Sequence, residues 1–163
     1  MSIITPYIEN LNRLKKEIPD IAKSAILEHK QEILQVIQFG QLGLGKNSYG
    51  RPLKWRNGSN KGNGYYGETT QGYADDQGIP YDKTAGHAYN FQWTNSTFDS
   101  MGIKQEDVDS YEIFTIDGKQ QFLERIYGEI FKLTPQNNEF VNSTIISPAI
   151  YKYLLENLLR VKR

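Results

Sequence analysis

Between Gly40 and Asn47 the chain reads GQLGLGKN, one residue away from the glycine-rich loop that cradles a nucleotide's phosphates. That loop needs Ser or Thr after its lysine to hold magnesium, and Asn47 stands there instead. It also joins a strand to a following helix, whose first amides bind the phosphates. Here a helical pattern precedes the motif, while Gly50 and Pro52 forbid a helix after it. The segment therefore reads as a helix stop and a turn. The two histidines, His29 and His87, sit in unrelated settings, one on a helix and one in a loop, so spacing gives no histidine constellation. Asp75, Asp76 and Asp82 fall in ADDQGIPYD, which lacks the alternating ligand spacing of a calcium loop. A hydrolase built on Glu68, Asp75, Asp76 and Asp82 would need those carboxylates to converge, and no serine has the surroundings of a nucleophile elbow. Asn57, Asn95 and Asn142 begin glycosylation sequons, which carry meaning only in a secreted protein. This reading assigns no catalytic residue, no metal ligand and no cofactor, and expects no enzyme.

Aromatic side chains offer the other chemistry. From residue 54 to 88 the chain is rich in Gly, Asn, Tyr and Asp and poor in aliphatics, the composition of a long surface loop or arm within the domain. Its rings argue against full disorder. Trp55, Tyr65, Tyr66, Tyr73 and Tyr81, with Trp93 just beyond, are the candidates for a subunit interface, the commonest use of exposed Tyr and Trp. The alternative is a glycan- or ligand-binding module that stacks sugars or other ligands on Tyr65, Tyr66, Tyr73 and Trp93.

The elements that would position this arm follow from periodicity. From Pro6 to Phe39, Leu11, Leu14, Ile18, Ile21 and Ala25 recur at steps of three and four, predicting a long amphipathic helix. Pro19 predicts a bend near Glu17 to Asp20, with a second helix beginning there. Tyr89, Phe91 and Trp93 alternate as a strand, and VDSYEIFTI from Val108 to Ile116 is a second; MGIKQED between them predicts the turn of an antiparallel hairpin. KQQFLERIYG predicts a short helix with Phe122, Leu123, Ile126 and Tyr127 inward and Gly128 as its stop. Thr134–Pro135 and Ser147–Pro148 each read as an N-cap followed by proline at the first helical position. A last amphipathic helix shows Tyr151, Leu154, Leu155, Leu158 and Leu159 on one face and ends in Arg160, Lys162 and Arg163. The fold class is α+β: a long bent N-terminal helix and a C-terminal helix packed on a small antiparallel sheet.

With 163 residues, one domain is expected, large enough for a core of its own. No cysteine is present, which excludes disulfides, thiolate metal sites and cysteine nucleophiles. Neither a signal peptide nor a membrane span is evident, so the expectation is a product made in the cytoplasm with no membrane partner. Net charge is zero, against a dedicated nucleic-acid binder. Its distribution is uneven: ten basic and five acidic residues through Lys61, two and ten from Gly62 to Gly118, seven and four thereafter. The commoner cause of such a split is acidic loops beside lysine-rich helices; the alternative is a pair of faces that attract copies of the chain.

Two stretches carry a resemblance. One is Gln38, Gln41 and Leu42 followed by Gly45, Lys46, Asn47, Ser48, Tyr49, Gly50, Arg51, Pro52 and Leu53; the other is Tyr127, Gly128, Glu129, Ile130, Phe131, Lys132, Leu133 and Thr134. In their order, with a hairpin between and a helix after, the chain resembles the virion-morphogenesis, or tail-completion, proteins of tailed bacteriophages. The resemblance implies a non-enzymatic subunit of the neck or tail, a head–tail connector or minor tail component assembled as a homo-oligomeric ring. It implies portal, neck or tail proteins as neighbours, DNA only as contents of the lumen, and a virion location after synthesis in the bacterial host cytoplasm.

Overall fold

The computed structural model describes residues 4–54, 64–107, 110–116 and 118–158. Its helices are α1 (Thr5–Glu28), α2 (Lys30–Gly40), α3 (Glu68–Asp76) and α4 (Ser96–Asp99), then, after strands β1 (Met101–Asp107) and β2 (Ser110–Thr115), α5 (Gln120–Tyr127), α6 (Pro135–Val141) and α7 (Ser147–Leu158). A single 3₁₀ turn spans Leu42–Leu44, and a π-helical turn, Asn142–Ile146, links α6 to α7. The architecture is mixed, helices with one small two-stranded antiparallel sheet. The chain divides into two compact units, Met1–Lys30 with Glu139–Arg163, and Gln31–Asn138. Among the described residues no helix is long and apolar enough to cross a membrane.

In the first unit α1 and α7 pack on each other and run antiparallel. Asn10, buried in the pair, donates through Nδ2 to the carbonyls of Asn157 (3.3 Å) and Leu158 (3.0 Å). Those carbonyls belong to the last two described residues of α7. Seven residues on, Tyr153 donates its hydroxyl to Glu17 Oε2 at 2.5 Å. The face of α7 turned inward is Ile150, Tyr153, Leu154 and Asn157, whereas Tyr151, Leu155 and Leu158 are exposed, which corrects the predicted inward face. The Tyr153 hydroxyl on Glu17 fixes the rotation of the helix, while the Asn157 side chain donates within α7 to the Tyr153 carbonyl. Leu159, Arg160, Lys162 and Arg163 lie outside the described residues.

Two proline readings are corrected here. Pro19 does not divide the helix; it lies inside α1, which runs on to Glu28, and the break between the two helices falls at His29 (φ −98°, ψ 20°). Pro19 is on the exposed side of α1, where the carbonyl it leaves without an amide partner is not forced into the core. Ser147–Pro148 is not a fresh N-cap, because the helical run continues through the π turn from α6 into α7. One extra residue per turn lets the chain pass a proline that has no N–H to give. Beside the π turn the Phe140 carbonyl accepts hydrogen bonds from the hydroxyls of Ser143 (3.1 Å) and Thr144 (2.6 Å).

The core of the second unit is Leu34, Ile37, Leu42, Leu53, Phe98, Met101, Ile130 and Phe131. The hairpin forms, but one segment later than predicted: MGIKQED is itself β1, and it pairs with β2 so that Ile103 faces Ile113 and Lys104 faces Glu112. Tyr89, Phe91 and Trp93 make no strand. Phe91 (φ 55°) and Asn95 (φ 58°) enter the left-handed region and break the extended chain, and Ser96–Asp99 coils into a helical turn that drops Phe98 into the core. Val108 lies outside the described residues. α5 ends at Gly128 (φ 80°) as predicted, with Ile126 buried and Leu123 and Tyr127 half-buried; Phe122, expected inward, is half exposed. Thr134 Oγ1 accepts the amide of Asn137 at 3.1 Å, the N-cap that Thr134–Pro135 predicts.

Candidate functional site

Two clusters in the second unit carry the polar chemistry. The first joins the two stretches on which the phage resemblance rests. Gln41 is fully buried, and its Nε2 donates to the carbonyls of Ile130 (3.2 Å) and Lys132 (2.8 Å). Its Oε1 accepts the amide of Thr134 at 3.0 Å. One glutamine thus serves as the hydrogen-bonding partner of a whole extended segment that has no strand beside it. Seven residues later the Ser48 amide donates to the Glu129 carbonyl (3.1 Å), and Ser48 Oγ accepts from the Lys132 amide (3.2 Å).

The intervening GLGKNSYGRP is a compact turn rather than a phosphate cradle. Asn47 Oδ1 accepts the amides of Tyr49 (3.0 Å) and Arg51 (3.1 Å), and Lys46 bridges Pro52. At Gly45 (φ 69°) a Cβ would stand 2.5 Å from the Tyr89 carbonyl oxygen, so a side chain is refused both by backbone and by space.

The second cluster folds the arm. Residues expected to form an extended excursion instead include α3 and an antiparallel bridge between Tyr65 and Ala88. At the centre is Lys83, only 4% exposed. Its Nζ donates to Tyr66 Oη (2.8 Å) and, by a short contact, to Asn90 Oδ1. The ammonium also lies 4.7 Å from the centre of the Tyr66 ring and 5.7 Å from that of Trp93, within cation–π range. Asn90 in turn donates to the Asp82 carbonyl at 2.8 Å, closing the loop on itself. Burial pulls the Lys83 ammonium down to about 8, with the Asp82 charge opposing. Burial likewise raises the Tyr66 phenol, against the hydrogen bond from the Asn90 amide.

Around this centre the rings form a chain. Tyr73 stacks on Trp93 (5.7 Å between centroids, 19° between planes), Tyr66 meets Tyr89 at 5.0 Å, and Tyr89 and Phe91 both reach Tyr127 of α5, at 6.4 and 5.0 Å. Burial pushes the Tyr127 phenol up to about 12. At the surface Asp82 Oδ2 contacts His87 Nδ1 at 2.5 Å and Oδ1 accepts the Thr84 amide at 3.0 Å. The His87 hydrogen bond first, then that of Thr84, holds the Asp82 carboxyl well below the usual range.

Of the interface candidates, Tyr66, Tyr73 and Trp93 are brought together around Lys83. Tyr65 and Tyr73 present 45% and 57% of their surface to solvent, Tyr81 is half-buried, and Trp55 lies outside the described residues. Asp75 and Asp76 end α3, while Asp82 is engaged by His87. Among the described residues no group of three or more His, Asp or Glu side chains is placed to hold a metal ion. His29 closes α1 and belongs to the other unit.

Residue-by-residue reading missed Lys83 and Asn90. The available signal was charge: Lys83 is one of only two basic residues between Gly62 and Gly118, and it stands among tyrosines. Comparison of the chain with protein families, with curated proteins and with solved structures finds no match.

Proposed function

We propose that the chain is a structural subunit of a tailed-phage virion, part of a homo-oligomeric ring at the neck or tail that connects head to tail or completes the tail. The observation that carries this reading is the junction at Gln41 and Ser48. The two stretches that resemble phage morphogenesis proteins are some ninety residues apart, yet side chains of the first hydrogen-bond the backbone of Ile130, Lys132 and Thr134 in the second. A likeness spread over two unconnected segments would be weak; a likeness in two halves of one hydrogen-bonded unit is a likeness in a working part. In this reading the long terminal helices and the sheet form the α+β frame, and the arm around Lys83 meets an adjoining subunit or the next ring.

A non-enzymatic role fits the way the arm's polar groups are used. Lys83, Tyr66, Asn90, Asp82 and His87 satisfy one another and shape a loop. The test is mass spectrometry of purified virions together with electron microscopy of particles made without the protein. The expected result is its presence in a few to tens of copies and the accumulation of unjoined heads and tails. Normal particles lacking the chain would refute the proposal.

The second reading, a glycan- or ligand-binding module, draws on the exposed Tyr73 ring stacked over Trp93. A glycan array without hits would remove it.

A further inference from the structure

Lys83 and Asn90 are both buried, 4% and 8% exposed, and their side chains touch: Nζ meets Oδ1 in a short contact. An amine so enclosed is shut off from reagents in solution. The electrophile within its reach is the carboxamide against which it is packed. Three donors converge on Asn90 Oδ1, the Tyr66 hydroxyl at 2.9 Å, the Gln92 amide at 3.2 Å and Lys83 itself. A carbonyl oxygen has two lone pairs, so Tyr66 and Gln92 satisfy it without the lysine. Tyr66 Oη in turn accepts the Asn90 amide (3.0 Å) and Lys83 Nζ (2.8 Å). With both of its own lone pairs taken, the phenol has one direction left for its proton, toward Oδ1. The carboxamide is anchored at its other end, Nδ2 donating to the Asp82 carbonyl at 2.8 Å.

Held this way, the carbonyl oxygen sits in a two-donor hole of the kind that stabilises a tetrahedral oxyanion. The carbonyl carbon is about 1.2 Å from that oxygen, which brings Nζ to within about 4 Å of the carbon, near attack distance. Lys83, Tyr66 and Asn90 thus form a closed relay of amine, phenol and carbonyl.

We infer that the folded arm joins Lys83 to Asn90 by an isopeptide bond. The unprotonated amine attacks Cγ; Nζ passes a proton to Tyr66 Oη as Tyr66 gives its own to Oδ1, and a neutral tetrahedral intermediate forms. On collapse the proton on Oδ1 passes to Nδ2, the Cγ–Nδ2 bond breaks, and ammonia leaves with the electron pair. The balance needs no other reactant. Burial serves the reaction twice: it pulls Lys83 down to about 8, so free amine is present near neutral pH, and it keeps water from competing for the carbonyl. Two titratable groups face the amine. Tyr66, raised by burial, keeps the relay proton, and the charge of Asp82, itself engaged by His87, opposes the loss of the ammonium proton. The bond closes residues 83 to 90 into a covalent ring and pins the arm. It is independent of the virion reading, since the reaction uses this chain alone.

The experiment is intact mass and tryptic mapping of the full chain, prepared at about pH 6, where Lys83 keeps its proton and the bond stays open, then held folded at about pH 9. The open chain is the form in which Lys83 titrates. Over days at the higher pH the mass should fall by one ammonia. Trypsin cuts the open chain after Lys61, Lys83 and Lys104, and should leave 62–104 of the closed chain as one peptide. That peptide separates the isopeptide from a succinimide at Asn90, which also expels ammonia but leaves Lys83 cleavable. The rate should climb about tenfold per unit of pH up to about 8 and level off beyond it. Tyr66→Phe should slow closure at least about tenfold, and Asn90→Ala or Lys83→Arg should abolish it. The natural chain in concentrated urea needs no variant to fold, and there it should keep its full mass. A folded chain that keeps its full mass at about pH 9, ammonia loss with Lys83 still cleavable, or equal ammonia loss in urea would each overturn the inference.

Discussion

Lys83 allows a quantitative test of how the arm is held. Its ammonium is almost wholly buried, and its proton affinity is lowered from 10.5 to about 8. A base whose folded value is depressed makes the unfolded chain bind more protons between those two values, so stability rises with pH in that window. The shift corresponds to up to about 3 kcal/mol of charge-burial cost, present in full below pH 8 and relieved on the way to pH 10.5. The Tyr66 phenol runs the other way: raised by burial, it keeps its proton when the unfolded tyrosine begins to lose its own near pH 10, and stability falls from there. The visible rise is thus confined to about pH 8 to 10.

Lys83→Met removes the charge and its pH dependence together. At pH 7 the variant escapes the burial cost and loses the ammonium's hydrogen bonds and cation–π contacts, while Tyr66 Oη still accepts from the Asn90 amide and Asn90 Oδ1 from the Tyr66 hydroxyl and the Gln92 amide, so a loss of about 1–2 kcal/mol offsets only part of the gain. The difference between the proteins is therefore what should move. Urea unfolding followed by Trp93 fluorescence in a Trp55→Phe background, at pH 7, 8, 9 and 10, should show the natural chain gaining about 2–3 kcal/mol on the variant. Parallel pH profiles for the two proteins would refute the reasoning, because Lys83 would then be titrating as though it were in water.

Further predictions concern the junction, the turn and the surface pair. Gln41→Leu strands the Ile130 carbonyl and the Thr134 amide in the core, removes the bond to the carbonyl of exposed Lys132, and should cost about 2–4 kcal/mol in thermal or urea unfolding. Gly45→Ala sets a methyl against the Tyr89 carbonyl at a positive φ; a loss of more than about 2 kcal/mol is expected, and a melting temperature unchanged from the natural chain would contradict the close approach. Because Asp82 is held below the usual carboxylate range, what it contributes is present above about pH 4 and lost as pH falls further. Asp82→Asn should accordingly speed hydrogen exchange at Thr84, whose amide loses its charged acceptor, with little effect on β1 and β2.

Local signals fixed several features of this chain without help. Gly128 at a positive φ, Thr134 capping ahead of Pro135, and the helix stop at GQLGLG each depend on a few neighbouring residues, and each was legible. Tertiary structure decided the rest. Whether Pro19 and Pro148 interrupt a helix depends on the surrounding run: α1 continues past the first on its exposed side, and a π turn carries the chain from α6 past the second. The strand pattern of Tyr89, Phe91 and Trp93 was overridden because those rings found partners in Tyr66, Tyr127 and Tyr73 that no window of neighbouring residues contains. Gln41 and Lys83 show the same limit most plainly. A buried amide and a buried ammonium are tolerable only where groups distant in the chain supply their hydrogen bonds, and periodicity records which side chains avoid water, not which polar ones meet.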